Sequence, residues 1–369
     1  MAPPLAKKQK TEVVKSPIVF PCPGQKPDVL LIVFEQEFHV HSALLKLNSA
    51  FFRKFLDSVD KPIANGAGNG GGSSVLTSPE ASRIGSGSVS NFKYKWVTKI
   101  DEGGENWSLV SDDPKNQPYD LYTFKKDKEA ETNTFEKLLC AIYTRPYQID
   151  DAIELFVLTD LADYYCTLPI LSRTLDGAMI NSPNFCSQIC IEALSLFVVA
   201  AKLRNALLFR ECLIWIVGPH EKPDYLELTD HKLRRVARLA HGDISIRLST
   251  VQKALWRIAK DDWANDWRSS WDAKLFRDLD HCGKTGSNTQ NMYQLRYPWF
   301  LRSLRVKSPS RYKIYEGLLE SNLVLRKGVY EAGSEDCVAE AGGDDCEDHF
   351  LCAEVADEDL PWDINESDW

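Results

Sequence analysis

The sequence predicts an α+β domain, a small β-sheet carrying helical hairpins, followed by an all-α helical domain. Three patterns predict it. Val29 to Phe34 is an unbroken apolar run of strand length, and the following Glu37, Phe38, His39, Val40 and His41 alternate polar and apolar. The segment FEKLLCAIY places Phe135, Leu138, Leu139 and Ile142 at helical spacing. Residues 185–217 are apolar nearly all round, interrupted by Glu192, Lys202, Arg204, Asn205, Arg210 and Glu211, as in helices buried between others.

Taken in order, residues 1–25 read as a disordered leader, rich in proline and without an apolar period. Its cluster Lys7, Lys8 and Lys10 reads either as a nuclear-import signal or as a solvated tail, the second being favoured. Glu35-Gln36 then serves as the tight turn of a hairpin, and Ser42 and Ser49 as N-caps of helices 43–48 and 50–57. Residues 58–91 turn into Gly, Ser, Asn and Pro, a composition that cannot offset the entropy of ordering, and read as a flexible insertion. A second hairpin follows. Phe92, Tyr94, Trp96 and Thr98 alternate with Lys93, Lys95, Val97 and Lys99, then a turn over 102–106 leads into 107–110. Lysine-lined aromatics suit stacked bases, but an inward aromatic face with lysines in water is the favoured reading, so nucleic acid is not an expected partner.

Asn133 or Thr134 opens the helix of FEKLLCAIY, Asp151 with Glu154 forms a capping signal for the next, and Pro169 begins a third. Arg204-Asn205 is the break between two antiparallel helices. From Asp230 a helix is expected to end at Gly242, and another to run to Trp271. Trp256, Trp263, Trp267 and Trp271 then share one helix face, a stripe that reads as core or interdomain packing before it reads as a partner surface. Residues 291–330 carry eight Lys or Arg interleaved with aromatics; they suit a phosphate backbone or the chain's own acidic tail, the solvated or self-docked reading being favoured.

The hairpin and helical pair resemble the BTB/POZ family. The residues that carry the resemblance are Asp28, Phe38, His41, Leu45, Ser49 and Phe52, followed by Leu138, Tyr143, Thr144 and Tyr147, and by Leu158, Leu161, Ala162, Asp163 and Tyr165. The aromatic hairpin is similar to one that fungal members place inside the domain. The segment AKLRNALLFRECLIWIVG resembles, more weakly, the helical BACK extension. The resemblance implies a BTB/POZ fold over 26–175, a BACK-like helical domain over 176–330, and an acidic disordered tail over 331–369. It further implies a protein-interaction scaffold that homodimerises, with Asp28, Leu31, His41 and Leu45 near the interface. Many such proteins are substrate adaptors of cullin-RING ubiquitin ligases, and Leu56 with Asp57 occupies the place of the cullin-contacting hydrophobic-x-Glu pattern, with Asp shorter than Glu. The protein substrate is open. Kelch repeats, a MATH domain and zinc fingers are absent by pattern. The alternative class is a nuclear transcription- or chromatin-associated interaction protein.

Composition agrees with a globular intracellular chain of the cytoplasm or nucleus. Of 369 residues, 44% are hydrophobic, enough for sizeable cores, and the longest candidate membrane run, Ala193 to Ala201, is far too short to span. The ten cysteines are scattered in mostly apolar contexts and read as reduced core thiols. The net charge of −9 hides an asymmetry: residues 331–369 hold fifteen Asp or Glu and no Lys or Arg, which leaves an excess of six positive charges on the rest. The tail sets Leu360, Trp362, Ile364 and Trp369 among carboxylates and reads equally as a solubilising tail or a linear binding motif.

Chemistry is not indicated. Gly66, Gly68 and Gly71 fit GxGxxG without a preceding strand, and Gly283-Lys284-Thr285 lacks the P-loop glycine, Asp278 standing there. His39 and His41 share a strand face with no orienting acid or nucleophile. Cys346, His349 and Cys352 with Cys337 have ligand chemistry but lack a zinc-finger context. No catalytic residue, metal or cofactor is expected.

Overall fold

The computed structural model describes residues 15–56, 92–112, 120–265, 296–307, 309–334, 346–366 and 369, with backbone alone at 259–265, 306–307 and 309–311. The insertion read at 58–91, the basic cluster, Asp57, the glycine motifs and Cys337 lie outside them. The fold is mixed α and β. It gathers into two compact units, residues 1–143 with 163–167, and 144–162 with 168–369.

The first unit is built on a five-stranded sheet: β1 (Ile18–Val19), β2 (Val29–Val33), β3 (Gln36–Val40), β4 (Tyr94–Ile100) and β5 (Trp107–Ser111), in the order β1-β3-β2-β4-β5. β2 and β3 form the expected hairpin, pairing Leu31 with Phe38 and Val33 with Gln36. Its turn falls one residue earlier than expected, because Phe34 takes a left-handed φ of 53°. Such a conformation costs a bulky residue about 1–3 kcal/mol. Tertiary contacts offset that cost: the Phe34 N–H donates to Thr98 Oγ1 at 2.8 Å, and its ring packs on Trp107 and Phe124. The parallel β2–β4 pair and the antiparallel β4–β5 hairpin complete the sheet. Trp96 and Thr98 face inward while Lys95 and Lys99 are exposed, as the alternation requires. β1 corrects the reading of residues 1–25 as disordered throughout. Ile18 and Val19 pair parallel with Phe38 and His39, and Phe20 is buried against Tyr143. A two-residue strand is too short to show a period.

Helices α1 (Ser42–Asn48) and α2 (Ala50–Leu56) follow β3, and α3 (Lys128–Ile142) follows β5. α3 starts five residues before the earlier expected position. Its N-cap is Asp127, whose carboxylate accepts the N–H groups of Glu129 and Ala130, so the polar first turn is helical without an apolar signal.

The second unit is helical: α4 (Ala152–Tyr164, whose last two residues belong to the first unit), α5 (Leu168–Ile180), α6 (Pro183–Gln188), α7 (Ala193–Leu203), α8 (Ala206–Val217), α9 (His231–Asn265), α10 (Tyr297–Lys307) and α11 (Glu316–Leu319). Asp151 accepts the Glu154 N–H at 2.8 Å and Glu154 accepts the Asp150 N–H at 2.7 Å, a reciprocal cap at the expected place. α7 ends at Arg204, with a left-handed φ of 51°, and Asn205 caps α8 by accepting the Leu208 N–H. Both residues of the predicted break therefore act there. Most of α4 and all of α5 gather with this unit, whereas residues 163–167 between them belong to the first. Ser182 and Gln188 accept the N–H groups of Ile149 and Ala152, which ties that segment to the helices that follow.

α9 runs through Gly242 where a helix end was expected. Nothing lies within 4 Å of where a Cβ would stand there, and the helix continues because Leu233, Ala237, Ala240, Ile244, Leu248 and Val251 form one buried stripe. Among the described residues no helix is long and apolar enough to cross a membrane.

Candidate functional site

Within the first unit the motif residues form one hydrogen-bonded frame. The Asp28 carboxylate accepts the Ser42 N–H at 2.7 Å and the Ser42 hydroxyl at 2.6 Å, and its backbone carbonyl accepts the N–H groups of Lys93 and Tyr94. The N-cap of α1 is His41, which makes no side-chain cap bond, so a carboxylate fourteen residues upstream does the capping. The His41 backbone N–H donates to the Tyr143 hydroxyl at 2.7 Å. Its Nε2 lies 3.4 Å from the Gln25 carbonyl, an obligate acceptor, so Nε2 carries the proton and Nδ1 accepts from Tyr143 at 2.9 Å. Ser49 caps α2 as expected, accepting the Phe52 N–H, and its hydroxyl donates to the Tyr165 carbonyl at 2.6 Å. Tyr165 sits at the centre of this core. Its ring stacks on Phe52 at 5.5 Å, its hydroxyl accepts the Leu109 N–H, and burial pushes its phenol well above the usual range.

Replacing Asp28 by Ala removes a charged acceptor from two donors and uncaps α1. The expected loss is about 1.5–3 kcal/mol of stability, read as a lower denaturant midpoint, with Asp28→Asn retaining part of it.

This frame changes the role of the residues expected near a dimer interface. Leu31, His41 and Leu45 are sealed inside the unit, His41 at 1% exposure, and Asp28 is half-buried with both carboxylate oxygens engaged. His41 is therefore not on a wet strand face: β3 ends at Val40, and the chain turns inward to start α1. Leu56 is also buried, and Asp57 lies outside the described residues. The apolar groups that the same segments present to water are Val19 on β1, Leu47 on α1 and Phe55 on α2, with Leu47 at 70% exposure. The resemblance singled out these core positions and did not include Leu47, which lies off the buried face of α1.

In the second unit Trp256 is 63% exposed, against the expectation of packing. It stands five residues past Val251, about 140° around α9 from that residue at 100° per residue, and so off the buried stripe. The Trp263 side chain, Trp267 and Trp271 lie outside the described residues.

The acidic tail also departs from its expectation. Residues 346–353 are not disordered: Phe350 and Leu351 are wholly buried, with Cys346, Cys352 and Ala353 beside them. Phe350 donates its N–H to the Gly218 carbonyl at 3.0 Å, and the Leu351 carbonyl accepts the Asn322 N–H. A Cβ on Gly218 would stand 2.9 Å from the Phe350 carbonyl oxygen and from His349, so only glycine lets the tail come this close. Glu211, buried in α8, accepts the Val324 N–H at 2.9 Å; burial raises its carboxyl, and the N–H groups of Val324, Leu325 and Arg326 pull it back. The basic, aromatic segment supplies tail partners, Arg302 and Arg305 pairing with Glu331 and Arg296 with Glu347.

Cys346 is disulfide-bonded, which corrects the expectation of reduced thiols throughout. Among the described residues no group of three or more His, Cys, Asp or Glu is placed to hold a metal.

His220 stands where the tail enters. Its N–H donates to the Asp348 carbonyl, its ring lies 4.9 Å from that of His241, and burial followed by that neighbour lowers its pKa to about 4. A histidine so depressed resists the proton that the unfolded chain accepts near pH 6.5. Its contribution is complete above pH 6.5 and is lost as pH falls toward 4. The thermal midpoint is expected to decline from pH 7 to pH 5, and more shallowly in His220→Asn; identical slopes would contradict this placement.

No family model matches the chain, and neither the curated proteins nor the solved structures contain a match to it.

Proposed function

We propose that the chain is a protein-interaction scaffold of BTB/POZ type, which self-associates through the β1–α1 side of its first unit and presents further surfaces from its helical unit. The observation that supports this reading is the frame described above. Asp28, Phe38, His41, Leu45, Ser49, Phe52, Tyr143 and Tyr165, the positions that carry the resemblance, are linked through a hairpin, a helical pair and a buried aromatic core. Above it, Val19 and Leu47 leave apolar area in water, the ordinary raw material of an isologous interface. The finer form of the proposal is a cullin-RING adaptor, in which Phe55, exposed at the end of α2, replaces the buried Leu56 as the group to contact a cullin.

Affinity capture of the full chain from its own cell extract tests the proposal, with co-purifying proteins quantified against a Phe55→Ala variant. A stoichiometric cullin recovered by the wild type and lost from the variant supports the adaptor. A different stoichiometric partner supports a scaffold outside that system, and recovery of the chain alone contradicts both.

A further inference from the structure

Residues 354–366 and 369 lie on the helical unit in a manner unlike the eight before them. Residues 346–353 are part of its core, whereas Glu354 and residues 356–359 and 363–366 are exposed, and Leu360 is the one buried residue among the described residues after 353. What holds this outer segment is a small set of side chains on and between α7 and α8. Arg210 pairs with Asp357 and donates from Nε to the Val355 carbonyl at 3.2 Å. Arg204 pairs with Glu366, and its guanidinium lies 4.8 Å from the centre of the Trp369 ring. Phe209 receives Trp362 edge-on at 5.0 Å and stacks on Phe197 at 4.2 Å behind it. This is how an acidic peptide with aromatic anchors is recognised: fixed guanidinium groups for the carboxylates, and a ring platform for the tryptophan.

We propose that this Arg204–Phe209–Arg210 surface is a binding site for acidic, tryptophan-bearing segments of a partner protein, and that residues 354–369 are its resident intramolecular competitor. The reasoning rests on how each half of the tail is held. Exposed ion pairs contribute little individually, so the outer segment detaches without disturbing Phe350 and Leu351. Tethering nevertheless supplies it at roughly millimolar effective concentration, enough to keep the surface occupied until a tighter segment of the same chemistry arrives. The ligand class is therefore written in the chain itself: carboxylates at both ends, and Leu and Trp between them. This surface belongs to the helical unit and the self-association face to the first, and each is tested without the other.

The test is fluorescence anisotropy with a labelled peptide of sequence 354–369, titrated with the full chain and with a full-length Leu360→Ser, Trp362→Ala variant whose own tail is weakened. The variant is expected to bind the peptide at least about tenfold more tightly than the wild type, and to lose that affinity in 0.5 M salt. Adding Arg204→Glu and Arg210→Glu abolishes binding. A peptide with Asp357→Asn and Glu366→Gln, titrated with the same tail-weakened chain, fails to bind, a result that is independent of how the charge-reversed chain folds. Equal affinity for wild type and tail-weakened chains, or for acidic and neutralised peptides, overturns the proposal. A fall in mass of the tail-weakened variant in light scattering overturns it in favour of tails exchanged between two copies.

Discussion

Phe52→Ala is expected to remove about 3–5 kcal/mol from the first unit, the usual cost of truncating a buried aromatic residue. Phe52 is wholly enclosed. Its ring stacks on Tyr165 at an interplanar angle of 1° and meets Trp96 edge-on at 6.1 Å, while its N–H is held by Ser49. The truncation thus empties a ring-sized space between Trp96 and Tyr165, the latter held by hydrogen bonds from the Leu109 N–H and the Ser49 hydroxyl. Domains carry about 5–15 kcal/mol in all, so the unit should lose roughly a fifth or more of its stability. Because the chain holds two units, its unfolding need not be a single transition. Hydrogen exchange at β2, β3 and β5 is the suitable readout, and protection there should fall by two to four orders of magnitude, about 1.4 kcal/mol for each tenfold. A change of less than tenfold would mean that the stack does not support the frame.

Phe350→Ala is expected to cost the helical unit a similar ~3–5 kcal/mol, although it lies in a segment whose composition reads as disordered. Its side chain is fully buried and sits 5.6 Å from the His220 ring, and its backbone pairs with Gly218. The variant should show a lowered denaturant midpoint and much faster proteolysis between residues 320 and 360. A solvated, solubilising tail would show neither, so an unchanged midpoint would remove the packed tail from the account.

The hairpin was legible because Phe38 and Val40 alternate with Glu37 and His39, and a one-residue slip would have put each of them on the wrong face. The turn was not, since no local preference assigns a left-handed backbone to phenylalanine; Thr98 and two aromatic rings, more than sixty residues away for Thr98, hold Phe34 there. Helix starts followed the same division. Asp151 and Ser49 cap from neighbouring positions and were visible, whereas Asp28 caps α1 from just before β2 and Asp127 opens a turn with no apolar periodicity.

The candidate sites were less legible for a related reason. The resemblance named Leu31, His41 and Leu45 for an interface although they are inner residues of the frame, and the strand alternation put His41 on a wet face, while Leu47 belongs to neither pattern. In the tail a few apolar residues among fifteen carboxylates vanish in any average over composition. The visible signs of where that tail goes were the excess of positive charge on the first 330 residues and the basic, aromatic segment 291–330, and Arg204, Arg210, Arg296, Arg302 and Arg305 are where part of that charge is used.

The central claim is that the motif residues build the frame and the exposed β1–α1 side does the associating. Its most direct test is the solution mass of the full chain by multi-angle light scattering, wild type against a Val19→Lys, Leu47→Glu variant, both substitutions being in water and harmless to the core. The account predicts twice the chain mass for the wild type and the single chain mass for the variant, with thermal midpoints that differ only by the dimer's contribution. A monomeric wild type at tens of micromolar, or a variant that remains dimeric, would contradict it.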